Sequence, residues 1–137
     1  MNKRIITLGL LVLVVLLVQS QTGDVKSKAS IKRGKLVYNK YCLTCHQADG
    51  GGVPRMNPPL IKTEYVAQDK DRLIGIVLKG FNQPIEINGE EYSNVMASHA
   101  FLTDLEVADV LTYVRNSFGN KYAAITPAEV KSVRSKK

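Results

Sequence analysis

The chain has two cysteines, Cys42 and Cys45, three positions apart, and His46 follows the second directly. Two thiols and an imidazole at this spacing suit four kinds of chemistry. They are a redox dithiol, part of a zinc site, a small disulfide, and covalent attachment of a haem. Further donors stand downstream: Met56, Met96 and His99. The elements that position these side chains have to decide among the four.

From Ser30 to Tyr41 the spacing predicts a helix, with Ile31, Gly34, Val37, Tyr38 and Tyr41 on one side. Gly34 in mid-helix costs about 1 kcal/mol relative to alanine, which a close helix crossing would justify. This helix runs straight into Cys42. "ADGGGVPRMNPPL" follows as a loop, because its glycines and prolines forbid regular structure. "QDKDRLIGIVLKGF" is helical again, with Asp69 or Asp71 as cap, Leu73, Ile76 and Val77 as the buried stripe, and Gly80 as the end. Ile85 and Ile87 then alternate with Glu86, and Asn88-Gly89 predicts a tight turn, so a small β-hairpin forms with Tyr92 on its return arm.

Thr103 to Phe118 is the clearest helix. Thr103 and Glu106 form a capping box. Leu105, Ala108, Leu111, Tyr113 and Val114 give the apolar face, and Gly119 closes the end. "ITPAEVKSVR" is a last short helix, with Thr126 as cap, Pro127 in first position and Glu129 completing a second box. The sum is a mostly α protein of one domain, which suits 137 residues.

The start of the chain belongs to no such core. Lys3 and Arg4 precede a 14-residue uncharged apolar run, Ile5 to Val18. A run of this length is short for a spanning helix and suits a signal peptide. Residues 1–20 are therefore expected to be a signal peptide or an uncleaved N-terminal anchor, residues 21–29 a linker, and residues 30–137 the domain. Either reading exports the domain to the periplasm, soluble or anchored only by that segment. The formal charge of +7 falls to +5 without residues 1–20, where Lys3 and Arg4 are the only charges. That balance suits solubility or an acidic partner. Nucleic acid is not expected as a partner, since there is no basic–aromatic stripe.

Export narrows the cysteine chemistry. A redox dithiol of the thioredoxin kind sits at the start of a helix in a βαβ setting, whereas this pair follows a helix. Zinc could count Cys42, Cys45, His46 and His99, but structural zinc sites usually pair two close ligands with a second close pair. A disulfide across so short a loop constrains little. C-x-x-C-H is the attachment sequence of c-type haem: the thiols add to the vinyl groups as thioethers, and the adjacent imidazole ligates the iron. For the sixth position, Met56 comes too soon after His46. Met96 follows fifty residues on, after a helix and a hairpin, so the chain can wrap the haem first. His99 is the alternative to Met96.

At this point the sequence resembles a small class I cytochrome c over about Ser30 to Arg134. The blocks that carry the resemblance are Gly34 and Tyr38 before "CLTCH", "GGVPRMNPPL", "EINGEEYSNVMASHAFLTD" and "VADVLTYVRNSFGNKY". It is most similar to cytochrome c domains associated with bacterial periplasmic quinoprotein dehydrogenases. The resemblance implies three to five helices around one haem c, with a small β-hairpin before the axial Met. It implies thioethers at Cys42 and Cys45, His46 and Met96 as axial ligands, and the Pro59 carbonyl turned to the free ring nitrogen of His46. It also implies that Gly34 and Tyr38 cross the Thr103–Phe118 helix near Tyr113 and Val114.

The family pattern has Pro after the ligand Met and Trp where Phe118 stands; this chain has Ala97 and Phe118. The expected function is one-electron transfer between redox partners, a quinoprotein dehydrogenase or a terminal oxidase among them, rather than catalysis. The alternative is a haem enzyme or gas sensor with a displaceable sixth ligand.

Overall fold

The computed structural model describes residues 27–67 and 69–136. The expected leader and residues 21–26 of the expected linker lie outside them. Residues 27–29, read as linker, are already helical.

Helix α1 covers residues 27–41. Two one-turn helices follow, α2 (Leu43–His46) and α3 (Glu64–Ala67), then α4 (Lys70–Lys79), strands β1 (Ile85–Ile87) and β2 (Glu90–Tyr92), α5 (Asp104–Arg115) and α6 (Pro127–Ser135). The mostly helical fold with one small hairpin is as expected. β1 and β2 pair antiparallel, with Ile87 opposite Glu90. Asn88 and Gly89 both take positive φ, 53° and 80°, which is the turn their residue types favour.

The helix ends follow local chemistry. Asp69 caps α4 by accepting from the backbone N–H groups of Asp71 and Arg72, and Gly80 ends it at φ 79°. Both predicted capping boxes form, Thr103 with Glu106 and Thr126 with Glu129. Helix α5 is shorter than expected. It stops at Arg115, and Phe118 stands at φ 56°, outside helical backbone.

The core gathers on α5. Val107, Ala108, Val110, Leu111 and Val114 are buried against Tyr38, Ile74, Leu78, Ile125 and Val130. Leu105, expected on the buried face, is 48% exposed. The face that packs is centred on 107, 110, 111 and 114 instead. Gly34 explains the crossing of α1: a Cβ there would stand 2.0 Å from the Asp109 carbonyl oxygen and 2.8 Å from Tyr113 Cβ. One turn on, Tyr38 packs against Tyr113 with ring centroids 5.3 Å apart, and Phe118 completes the triad at 5.5 and 5.6 Å. The expected crossing of Gly34 and Tyr38 near Tyr113 is therefore present.

Four buried polar side chains fasten the loops to this core, and the apolar pattern gave no sign of them. Asp109 accepts from Ser30 Oγ (2.6 Å) and from Arg33 Nη2 (2.8 Å) and Nε, tying α1 to α5. Thr112 bonds both backbone groups of Ile125. Arg115 donates to the carbonyls of Val66 and Ala123, which keeps its buried guanidinium satisfied. Asn120 donates to the carbonyls of Leu60 (2.9 Å) and Val114 (2.8 Å) and accepts from Lys62 N–H (2.8 Å). Asn120 thus pins the loop that forms one wall of the site.

Candidate functional site

The C-x-x-C-H segment is one tight helical turn. Cys42 N–H donates to the Tyr38 carbonyl at 2.9 Å, closing α1, and Cys42 is also the N-cap residue of α2. The pair was expected at the end of a helix; α1 does end at Cys42, and Cys45 lies within the one-turn helix that follows. The Cys42 carbonyl accepts from Cys45 N–H (3.2 Å) and His46 N–H (2.9 Å). This turn brings Cys42, Cys45 and His46 to the wall of one cavity.

Cys42 is not placed as the reactive thiol of a redox pair. Both cysteines are free, Cys42 partly buried and Cys45 exposed. Burial, with the neighbouring Cys45 charge adding to it, pushes the Cys42 thiol up to about 11. The attacking thiol of such a pair has the opposite shift. Nor does zinc find a site: among the described residues, no three His, Cys, Asp or Glu side chains converge to hold a metal ion.

His46 is partly buried, and its Nδ1 lies 3.0 Å from the carbonyl oxygen of Pro58. In the neutral ring, Nδ1–H donates to that carbonyl and Nε2 keeps its lone pair for a metal. Burial lowers the His46 pKa, a charge on His99 lowers it further, and the bond to Pro58 opposes both. The net shift favours the neutral imidazole that ligation requires.

The carbonyl partner was expected to be Pro59. The loop register makes it Pro58. Gly52, at φ 68°, lets the 57–58 segment approach so closely that a Cβ there would lie 2.2 Å from the Asn57 carbonyl oxygen. Gly52 N–H donates to the His46 carbonyl, and Leu60 N–H to that of Gly50. In this register the residue 58 carbonyl meets His46. Pro58, Pro59 and Leu60 all line the cavity.

Met96 lines the same cavity, and so does His99. Both ride on a strap that runs back along the end of α4. Phe81 and Met96 exchange both backbone hydrogen bonds (2.9 and 2.8 Å), Ser98 Oγ donates to the Leu78 carbonyl (2.6 Å), and His99 N–H to that of Val77 (2.9 Å). Gly80 makes this possible, since a Cβ there would stand 2.6 Å from the Met96 carbonyl oxygen. Met56, by contrast, is half exposed and does not line the cavity.

The cavity holds about 340 Å³. Its walls are mostly apolar: Leu73, Ile76 and Val77 from α4, Val110, Leu111 and Val114 from α5, and Ile85, Ile87 and Tyr92 from the hairpin. Two thiols, two imidazoles and a thioether are the soft and nitrogen donors within it. This is a donor set and a lining that fit a covalently held haem.

Comparison with known proteins agrees. The family model described as cytochrome c matches residues 31–118. The chain is 37% identical over 105 residues to cytochrome c-552 of Thermus thermophilus, covering 70% of this chain and 80% of that one. It is 34% identical over 104 residues to the cytochrome c subunit of a quinone alcohol dehydrogenase from Gluconacetobacter polyoxogenes, covering 74% of this chain but 22% of that one. A gluconate 2-dehydrogenase cytochrome c subunit from Pantoea cypripedii is 33% identical over 105 residues, of which this chain covers 24%. The donor turn, the apolar cavity and a match across most of the domain lead to one conclusion: the chain belongs to the cytochrome c family, a haem c protein that carries electrons.

Proposed function

We propose that the chain is an exported, single-haem carrier in which Cys42 and Cys45 form the thioether links and His46 and Met96 are the axial ligands. The observation that carries this reading is His46. Its Nδ1 is committed to the Pro58 carbonyl, and its ring shares a cavity with Met96. When bound, the haem supplies a one-electron ferric–ferrous couple, and a thioether ligand favours the ferrous side.

The chain's own residues do the rest. Pro58 fixes the imidazole, Asn120 and the Gly50–Leu60 bond hold the Pro58–Pro59 wall, and the strap on α4 presents Met96. Apolar side chains of α4 and α5 keep water from the interior. Cys45 is exposed while Cys42 is partly buried, so the site reaches the surface on the Cys45 side, where partners approach. The positive balance of the chain steers acidic redox partners, at rates that fall as salt rises. Names among the relatives point to a quinone-linked dehydrogenase as one class of partner.

The test is the protein made in a host with haem-maturation machinery. Mass spectrometry of the peptide spanning Cys42 to His46 is expected to show one haem on two thioethers. Optical spectra are expected to show a low-spin haem with the far-red thioether-to-ferric charge-transfer band. A colourless protein, or a five-coordinate haem that takes up carbon monoxide at once, would refute the proposal; the second result would favour a haem enzyme or gas sensor.

A further inference from the structure

Two histidines line the cavity, and they are tethered alike. His46 Nδ1 lies 3.0 Å from the Pro58 carbonyl oxygen, and His99 Nδ1 lies 2.9 Å from that of Ala97. A carbonyl only accepts, so in each neutral ring Nδ1 carries the proton and Nε2 the lone pair. His99 is therefore held in the tautomer a metal ligand needs. Among the described residues, no hydrogen bond engages its Nε2.

Its backbone is anchored as firmly as that of Met96. Both sit on the strap, three residues apart, Met96 paired with Phe81 and His99 with Val77. One hydrogen bond holds the ring, from Nδ1 to the Ala97 carbonyl on the same strap, and such a bond contributes about 0.5–1.5 kcal/mol net. It also meets Tyr41 at 6.5 Å and Phe101 at 5.7 Å between centroids. Aromatic contacts of this kind contribute about 0.5–1.5 kcal/mol, far less than an imidazole–metal bond. A fixed backbone, a free Nε2 and a ring held by one hydrogen bond to its own strap and two aromatic contacts make a side chain able to turn inward.

We propose that His99 is a reserve sixth ligand: where the Met96 thioether is removed or oxidised, His99 Nε2 takes its place and keeps the site closed to small molecules. The inference rests on Met96 as the resting ligand. The natural trigger is hydrogen peroxide, which transfers one oxygen atom to Met96 Sδ. The sulfur is oxidised by two electrons to the sulfoxide, and the peroxide is reduced to water.

The test compares four holoproteins: wild type, Met96→Ala, His99→Ala and the double variant. Each is read by ferric optical and electron paramagnetic resonance spectra and by the rate of carbon monoxide binding to the reduced form. Met96→Ala is expected to lose the thioether band yet stay low-spin with two nitrogen ligands. The double variant is expected to be high-spin. If His99 closes the site in nine molecules of ten, Met96→Ala binds carbon monoxide about tenfold more slowly than the double variant.

His99→Ala with Met96 in place is expected to keep the thioether band. Peroxide-treated wild type, which needs no variant to fold, is expected to resemble Met96→Ala, and peroxide-treated His99→Ala the double variant. A high-spin Met96→Ala that binds carbon monoxide as fast as the double variant would overturn the reserve role while leaving Met96 the ligand. A thioether band that survives in Met96→Ala would overturn the Met96 assignment itself. Loss of that band in His99→Ala alone would overturn the reserve role by making His99 necessary in the resting state.

Discussion

Replacing Gly34 by alanine sets two effects of opposite sign against each other. Alanine is the better helix former by about 1 kcal/mol, so on propensity alone the variant is more stable. The crossing says otherwise. The new Cβ would sit 2.0 Å from the Asp109 carbonyl oxygen, and ordinary contact begins at 3.4 Å, so α1 and α5 must part by more than 1 Å. Overpacking of this kind costs about 1–3 kcal/mol. Parting the helices also loosens the bonds from Ser30 and Arg33 to the buried Asp109 carboxylate, and charge-assisted bonds contribute roughly 1.5–3 kcal/mol each when fully lost. Arg33 is half exposed, so only part of that applies. The net expectation is a loss of about 2 kcal/mol.

Gly75→Ala is the control. Gly75 lies within α4 with nothing inside 4 Å of an added Cβ, so the same substitution is expected to stabilise by up to about 1 kcal/mol. Guanidinium unfolding of both ferric holoproteins, followed by far-ultraviolet circular dichroism, reads the two signs. If Gly34→Ala gains as much stability as Gly75→Ala, the tight crossing is wrong.

Three further outcomes follow from the same geometry. Gly80→Ala forces a side chain into backbone at φ 79°, ψ −178°, a region essentially reserved for glycine, at about 1–3 kcal/mol, and drives its Cβ at the Met96 carbonyl. Exogenous imidazole should then displace Met96 about tenfold more readily, as 1.4 kcal/mol per decade requires, and an unchanged imidazole titration would refute the strap's role. Asn120→Ala leaves the Leu60 carbonyl and the Lys62 N–H without their partner and takes one donor from the Val114 carbonyl, which keeps the Ser117 N–H; a loss of about 2 kcal/mol is expected in thermal unfolding, and a loss under a few tenths would show that the loop is held otherwise.

Glu129 governs part of the acid limb. Burial works to raise its pKa, but hydrogen bonds from Lys70 and Thr126 overcome this and leave it below its ordinary 4.5. A lowered folded-state pKa contributes stability that is full above the unfolded value and is lost as pH falls through the folded one. Urea midpoints of Glu129→Gln should therefore fall less steeply than wild type below about pH 4.5; parallel curves would refute the assignment.

What the sequence made legible was local chemistry. The capping boxes at Thr103 and Thr126, the Asn88-Gly89 turn and the C-x-x-C-H turn each depend on residues within four positions of one another. What stayed hidden depends on chain segments far apart. Pro58 rather than Pro59 meets His46 because Gly52 and the Gly50–Leu60 bond set the loop register. Asp109, Thr112, Arg115 and Asn120 are buried because distant backbone and side-chain groups satisfy them, and a hydrophobic pattern is blind to that. Leu105 looked buried by period alone, but the packed face of α5 is turned toward Val107 and Val110. On helix α4, Leu73 and Val77 belong to the core and also line the cavity with Ile76, while Ile74 and Leu78 are buried in the core alone; the spacing named the first three.

The central claim is that one haem, held by Cys42 and Cys45 and ligated by His46 and Met96, carries one electron at a time. A spectroelectrochemical titration of the wild-type holoprotein tests it most directly. The account predicts one reversible one-electron wave, with the far-red thioether band present in the oxidised protein and lost in step with reduction. A ferric spectrum without that band, or a wave accompanied by a change to high spin, would contradict it.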